Sequence, residues 1–166
     1  EHLIALGHRR IGMITESGTV STARDRRSGY SIALADAGLD VDPELLVEGS
    51  VDPDGGREGM RRLLELDRPP TAVFTVNNLV ALGAIEAVRA AGREVPDDVA
   101  LVCFDDIEYA SRLHPFLTVM EQPAETFGTL GTQLLLERIE RRAGKQRRTV
   151  VLPGQFVVRR SCGAAA

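Results

Sequence analysis

The sequence predicts an α/β fold, a parallel sheet with helices on both faces, and three observations carry that prediction. Short apolar, β-branched runs alternate with segments whose apolar residues recur at helical spacing. The connections between them are short, as in successive βαβ units. One run, "VALVCF" (99–104), is apolar throughout instead of alternating, which marks a strand covered on both faces.

The elements follow in chain order. "EHLIALGH" reads as the last turns of a helix stopped at Gly7 with nothing before it, so the chain is expected to be a piece of a longer protein. "IGMIT" (11–15) is a first strand and "ESGTVSTA" (16–23) a polar loop. In "RDRRSGYSIALADAG" (24–38), Tyr30, Ala33, Leu34 and Ala37 share one helical face, and Gly38 ends the helix. "LLVEGS" (45–50) is a short strand. A helix from about Gly56 to Leu66 presents Met60, Leu63 and Leu64 and stops before Pro69.

"TAVFTVNNLVALGAIEAVRAAG" (71–92) passes from strand to helix at two adjacent asparagines. One Asn suffices to cap a helix. Asn78 is expected to be that cap, which leaves Asn77 at the strand tip to face a crevice. After "VALVCF" comes "IEYASRLHPF", a loop or short irregular helix, and then the strand "LTVM" (117–120). A helix from about Ala124 to Ala143 carries Phe127, Leu130, Leu134 and Ile139 on one side. Two β runs, "TVVLP" (149–153) and "QFVV" (155–158), are separated by the turn dipeptide Pro153-Gly154.

Composition narrows the function classes. The chain has 166 residues, enough for one well-buried domain, with 43% apolar and 27% charged residues. A formal charge of −4 lacks the basic excess of a nucleic-acid binder. No window reaches the roughly 18 apolar residues of a membrane span, so no membrane partner is expected. Two cysteines, Cys103 and Cys162, have no metal-type spacing, and a reducing cytoplasm fits them. The three histidines, His2, His8 and His114, also lack ligand spacing. No Walker loop, His-Glu-x-x-His or Gly-x-Ser-x-Gly motif is present, and Gly55-Gly56 is too little for a dinucleotide fingerprint. Neither an enzyme, a cofactor nor a metal is expected.

Three polar sites fall at carboxyl ends of strands, where parallel sheets bind ligands: the loop after Thr15, the asparagines after Val76, and Asp105-Asp106 after Phe104. The Asp pair has several readings. It can bind Mg²⁺ or supply a base, hold ligand hydroxyls or an amine, or cap the following turn. Of Arg24, Arg26 and Arg27, one is expected to turn into the crevice with its bidentate fork while the others stay solvated. Arg, Asn and Asp together suit a polyhydroxylated or heterocyclic small molecule.

"HLIALGHRRIGMI", "RDRRSGYSIALADAGL", "FTVNNLVALGAIEAVRAAGREVPDDVALVCFDD", "PFLTVMEQP" and "VVLPGQFVVRRSCG" together resemble the effector-binding half of LacI/GalR-type bacterial transcription repressors. The resemblance runs through essentially the whole chain. It implies mainly the C-terminal one of two Rossmann-like lobes in a periplasmic-binding-protein-like type I fold. Residues 1–10 would end a helix from an absent N-terminal lobe, and 11–117 would form the effector-binding lobe. Residues 118–148 would hold a crossover and a helix normally shared with the other lobe. Residues 149–158 would return, and 159–166 would be a tail.

The resemblance also implies roles. Arg26, Asn77 and Asp105 would contact a sugar-like effector, and Val51 would stand where many relatives place an aromatic residue. Asn78 and Cys103 depart from the usual Asp and Gly, with effects on capping and packing. Leu82, Tyr109 and Leu113 would lie at a homodimer interface. Operator DNA would be reached only through a headpiece outside these residues. The helix 124–143, without its partner lobe, would pack on a neighbouring chain or move onto its own sheet. A sugar-binding protein of an ABC uptake system shares this fold and is the alternative reading.

Overall fold

A computed structural model of the chain describes residues 1–140 and 147–164. Six strands form one sheet: β1 (Ile11–Thr15), β2 (Leu46–Glu48), β3 (Ala72–Thr75), β4 (Ala100–Phe104), β5 (Thr118–Glu121) and β6 (Gln155–Val157). Their order is β2-β1-β3-β4-β5-β6; the first five are parallel and β6 runs antiparallel to β5. The helices are α1 (His2–Ala5), α2 (Ser21–Asp36), α3 (Pro53–Leu64), α4 (Asn78–Ala90), α5 (Glu108–Leu113) and α6 (Ala124–Ile139).

The alternation of side chains along β1 assigns the faces. A Cβ on Gly12 would meet Leu63, and Ile14 packs on Gly59, so these two positions face α3. Ile11 lies on the other face, where Tyr30 of α2 donates a 2.7 Å hydrogen bond to its carbonyl. The core is apolar on both sides, with Met13, Ile14, Met60, Leu63, Val73 and Leu101 fully buried. α3 and α4 pack against each other through glycines. A Cβ on Gly56 would stand 2.1 Å from the Val80 carbonyl oxygen, and one on Gly83 would stand 1.8 Å from that of Pro53.

Several elements differ from the sequence expectation. α2 starts three residues earlier, at Ser21 instead of Arg24, and Ala37 lies beyond its end. α3 starts at Pro53, because Asp52 caps it by accepting from the Gly55 amide at 2.7 Å. The run 149–153 is not a strand. Val151 is 84% exposed there, and pairing begins only at Gln155, past Pro153, which has no amide to donate. Within the expected tail 159–166, Ser161 and Cys162 are fully buried beside β4 and β5.

α6 spans Ala124–Ile139, and residues 141–143 of the expected helix lie outside the described residues. The helix has not moved onto the sheet. None of its residues is buried, Phe127 is 45% exposed, and Leu130 and Leu134 are only half-buried. α3 and α4 cover one side of the sheet, while α1 and α2 cover the other only in part and leave a groove there that α6 does not fill.

Candidate functional site

Strand register brings the carboxyl ends of the strands into one row. Thr15 stands opposite Glu48, Ile14 opposite Thr75, and Thr75 opposite Cys103. Arg26 reaches this row from α2. Its Nη1 donates to the Val76 carbonyl at 2.9 Å, and its guanidinium carbon lies 3.9 Å from the centroid of the Phe104 ring. Guanidinium is weakly hydrated and stacks on aromatic faces, so this side chain is held at the strand tips with further N–H donors to offer. Arg24 instead folds back onto the carbonyls of Gly18 and Thr19, and Arg27 pairs with Glu48 at the surface.

The cap falls on Asn77 and not, as expected, on Asn78. Asn77 has extended backbone angles, φ −152° and ψ 172°, and its Oδ1 accepts from the Val80 amide at 2.8 Å. It is therefore the cap of α4. Asn78 is already the first helical residue, and its Nδ2 donates to the Asp106 carbonyl at 2.8 Å. Cap position is set by where the backbone leaves the extended region, not by which of two identical residues comes second. The Nδ2 of Asn77 donates to the Val51 carbonyl at 3.2 Å, which joins the tips of β2 and β3.

The adjacent aspartates also divide the work. Asp105 has φ 70°, a left-handed conformation that Asp tolerates, and its carboxylate accepts a hydrogen bond from Gln122. Asp106 is bound by Arg159 at 2.6 Å, with the two side chains 10% and 13% exposed. That guanidinium, with Ser111 and the Ile107 amide, holds the Asp106 carboxyl below its ordinary range. The pair thus satisfies the turn-capping reading at Asp106 and leaves Asp105 nearer the edge.

Two cavities meet this row. A groove of about 540 Å³ under α1 and α2 is lined by apolar side chains, with Arg26 and Phe104 among its walls. A polar hollow of about 550 Å³ at the tips of β1 and β2 is lined by Glu16, Glu48, Ser50, Val51 and Asp52. Arg26 and Val51 therefore line different cavities, and Asn77 links them through its neighbour Val76 and the Val51 carbonyl. Asp105 lines neither.

Burial pushes the Cys103 thiol up to about 12, so it stays protonated and inert. Among the described residues no group of three His, Cys, Asp or Glu could hold a metal ion. Among the described residues the edge offers hydrogen-bond donors and acceptors but no nucleophile–base pair. Sequence reasoning missed Phe104, Gln122 and Arg159. The first directly precedes the Asp pair and the second follows β5, so proximity could have found them; Arg159 has no local signal.

Residues 1–162 match the family model of a periplasmic binding protein-like domain. The chain is 38% identical over 161 residues, 97% of its own length and 48% of the relative's, to the HTH-type transcriptional repressor PurR of Mannheimia succiniciproducens. A LacI-family regulatory protein from Chloroflexus aggregans superposes with a TM-score of 0.87 at 31% identity, covering 96% of this chain and 57% of that one. The transcriptional regulator CelR in complex with cellobiose superposes with a TM-score of 0.88 at 37% identity, covering 96% and 49%. The chain spans about half the length of the curated relatives it matches. With this fold, this edge and these relatives, the chain belongs to the periplasmic binding protein-like domain family, as an effector-binding domain of the LacI/GalR type.

Proposed function

We propose that this chain is the ligand-sensing part of a cytoplasmic transcriptional repressor, not an enzyme, and that its ligand is a polyhydroxylated small molecule such as a sugar. The observation that carries the reading is the set of Arg26, Asn77 and Asp105 on one carboxyl edge, with no catalytic pair beside it. A ligand bridging these groups alters operator affinity by binding two arrangements of the regulator unequally. DNA contact belongs to a headpiece and not to these residues. The regulator is a homodimer, formed through Leu82 on α4 and Tyr109 and Leu113 on α5, which are 39%, 82% and 89% exposed.

Thermal shift of the longest natural chain carrying these residues tests the reading, with D-ribose, cellobiose, ribose 5-phosphate and adenosine as probes. One of them is expected to raise the melting temperature in a dose-dependent way. Arg26→Ala, Asp105→Asn and Asn77→Asp, which keeps the cap oxygen but loses the donor, should each weaken that shift. A shift unaltered in all three variants would place the ligand elsewhere, and no shift with any probe would refute the sugar-like class.

A further inference from the structure

Arg159 lies 53 residues beyond Asp106, yet it takes both oxygens of that carboxylate, Nη1 to Oδ1 at 2.9 Å and Nη2 to Oδ2 at 2.6 Å. It also donates to the Leu117 carbonyl at 2.8 Å, and its own backbone is held at both N and O by the Thr118 hydroxyl. Asp106 in turn receives the Ile107 amide at 2.7 Å, the Ser111 hydroxyl at 2.5 Å and, at its carbonyl, the Asn78 amide group. The same division recurs at two strand tips. At β3 the first asparagine stays at the edge and the second reaches Asp106; at β4 the first aspartate stays at the edge and the second is Asp106 itself.

We propose that Arg159 is a positioning residue of the effector site: through Asp106 it clamps the tips of β3 and β4 so that Asn77 and Asp105 face the ligand. The inference rests on the effector reading of that edge. Two neighbouring carboxylates are otherwise interchangeable donors of negative charge. Turning Asp106 toward a ligand would leave the Arg159 guanidinium unpaired in a nearly closed site, a costly state. The clamp therefore selects Asp105, whose left-handed backbone is the geometry this selection imposes. A lysine would supply the charge without the planar fork that engages both oxygens.

The decisive variant is Arg159→Lys, made in the longest natural chain carrying these residues and compared with Leu63→Val, a core change away from the strand tips. For whichever of D-ribose, cellobiose, ribose 5-phosphate or adenosine the unsubstituted protein binds, Arg159→Lys is expected to weaken binding about tenfold. Leu63→Val, at a similar loss of stability, should leave it unchanged. Asp106→Asn should weaken binding likewise, and the double variant should be no worse than either single one. Amide hydrogen exchange at Val80 and Asp105 reads the clamp without a ligand, because these amides bond to Asn77 and Met120. Both should exchange at least tenfold faster in Arg159→Lys while Val73 stays protected. Should none of the probes bind, the effector reading fails and exchange still judges the clamp. Unchanged binding, or unchanged exchange at Val80 and Asp105, overturns the proposal.

Discussion

Arg26 lies 3.9 Å over the ring of Phe104 while it donates to the backbone of Val76, so one side chain of α2 is held by β3 and β4 together. The ring fixes the plane of the guanidinium and the carbonyl fixes one of its edges.

Removing the ring should therefore loosen the arginine without deleting it. A cation–π contact contributes about 0.5–1 kcal/mol at exposed sites and about 2 kcal/mol when desolvated. Phe104→Leu is expected to weaken ligand binding by roughly three- to tenfold, and Phe104→Tyr to preserve it. Calorimetric titration of the two variants with the ligand of the unsubstituted protein checks this.

Gly83 and Gly128 make a matched pair of helical glycines. A methyl at Gly83 meets the Pro53 carbonyl, whereas one at Gly128 in α6 meets nothing within 4 Å. Gly83→Ala should cost about 3 kcal/mol or more, since backbone must move to admit it. Gly128→Ala should stabilise α6 by roughly 0.5–1 kcal/mol through the lower cost of ordering alanine. Urea unfolding reads the first, and helical circular dichroism reads the second.

Asp106 gives stability a defined pH dependence. Its carboxyl is held below the ordinary value of 3.8, first of all by the hydrogen bond from Arg159. A depressed folded-state value means the contribution is complete above 3.8 and is lost as pH falls through the lower value. The stability difference between the unsubstituted protein and Asp106→Asn should be constant at neutral pH and shrink below 3.8. Urea midpoints measured from neutral pH into strong acid follow it.

α6 should be the least protected of the long helices. It buries no residue, and an isolated helix of this length is marginal in water. Amides of Ala124–Ile139 should exchange orders of magnitude faster than those of β3 and β4 in this 166-residue chain. Mass-spectrometric hydrogen exchange resolves the two sets.

The homodimer reading has its own test. Leu113→Glu and Leu82→Glu place a charge on exposed apolar positions, with little expected effect on the fold. Both should weaken association at least tenfold by sedimentation, and an unchanged dimer would move the interface elsewhere.

What the sequence made legible was governed by local patterns. The run 11–15 coincides with β1, and β3 and β4 fall inside their predicted runs, because strands buried on both faces leave an unbroken apolar record. β6 is an edge strand with Gln155 and Phe156 exposed, so its run carried little distinction from the irregular residues before it. The asparagines and the Asp pair could be seen at strand ends and the arginine cluster at a helix start, but only the family resemblance singled out Arg26 and Asp105 within their clusters. The roles of Asn77 and Asn78 depended on a backbone angle, which composition does not encode. The partnership of Asp106 with Arg159 crosses 53 residues, and no periodicity marks such a contact.

Ser161 ties the segment after β6 across two strands of the sheet. Its hydroxyl accepts from the Thr118 amide and donates to the Leu101 carbonyl, both at 2.7 Å, in a fully buried position. Without that hydroxyl the Thr118 amide and the Leu101 carbonyl would each lose a buried partner at the junction of two strands. A chain cut before residue 161 is therefore expected to keep the β4–β5 ladder but to lose this lateral tie, and to open there more readily.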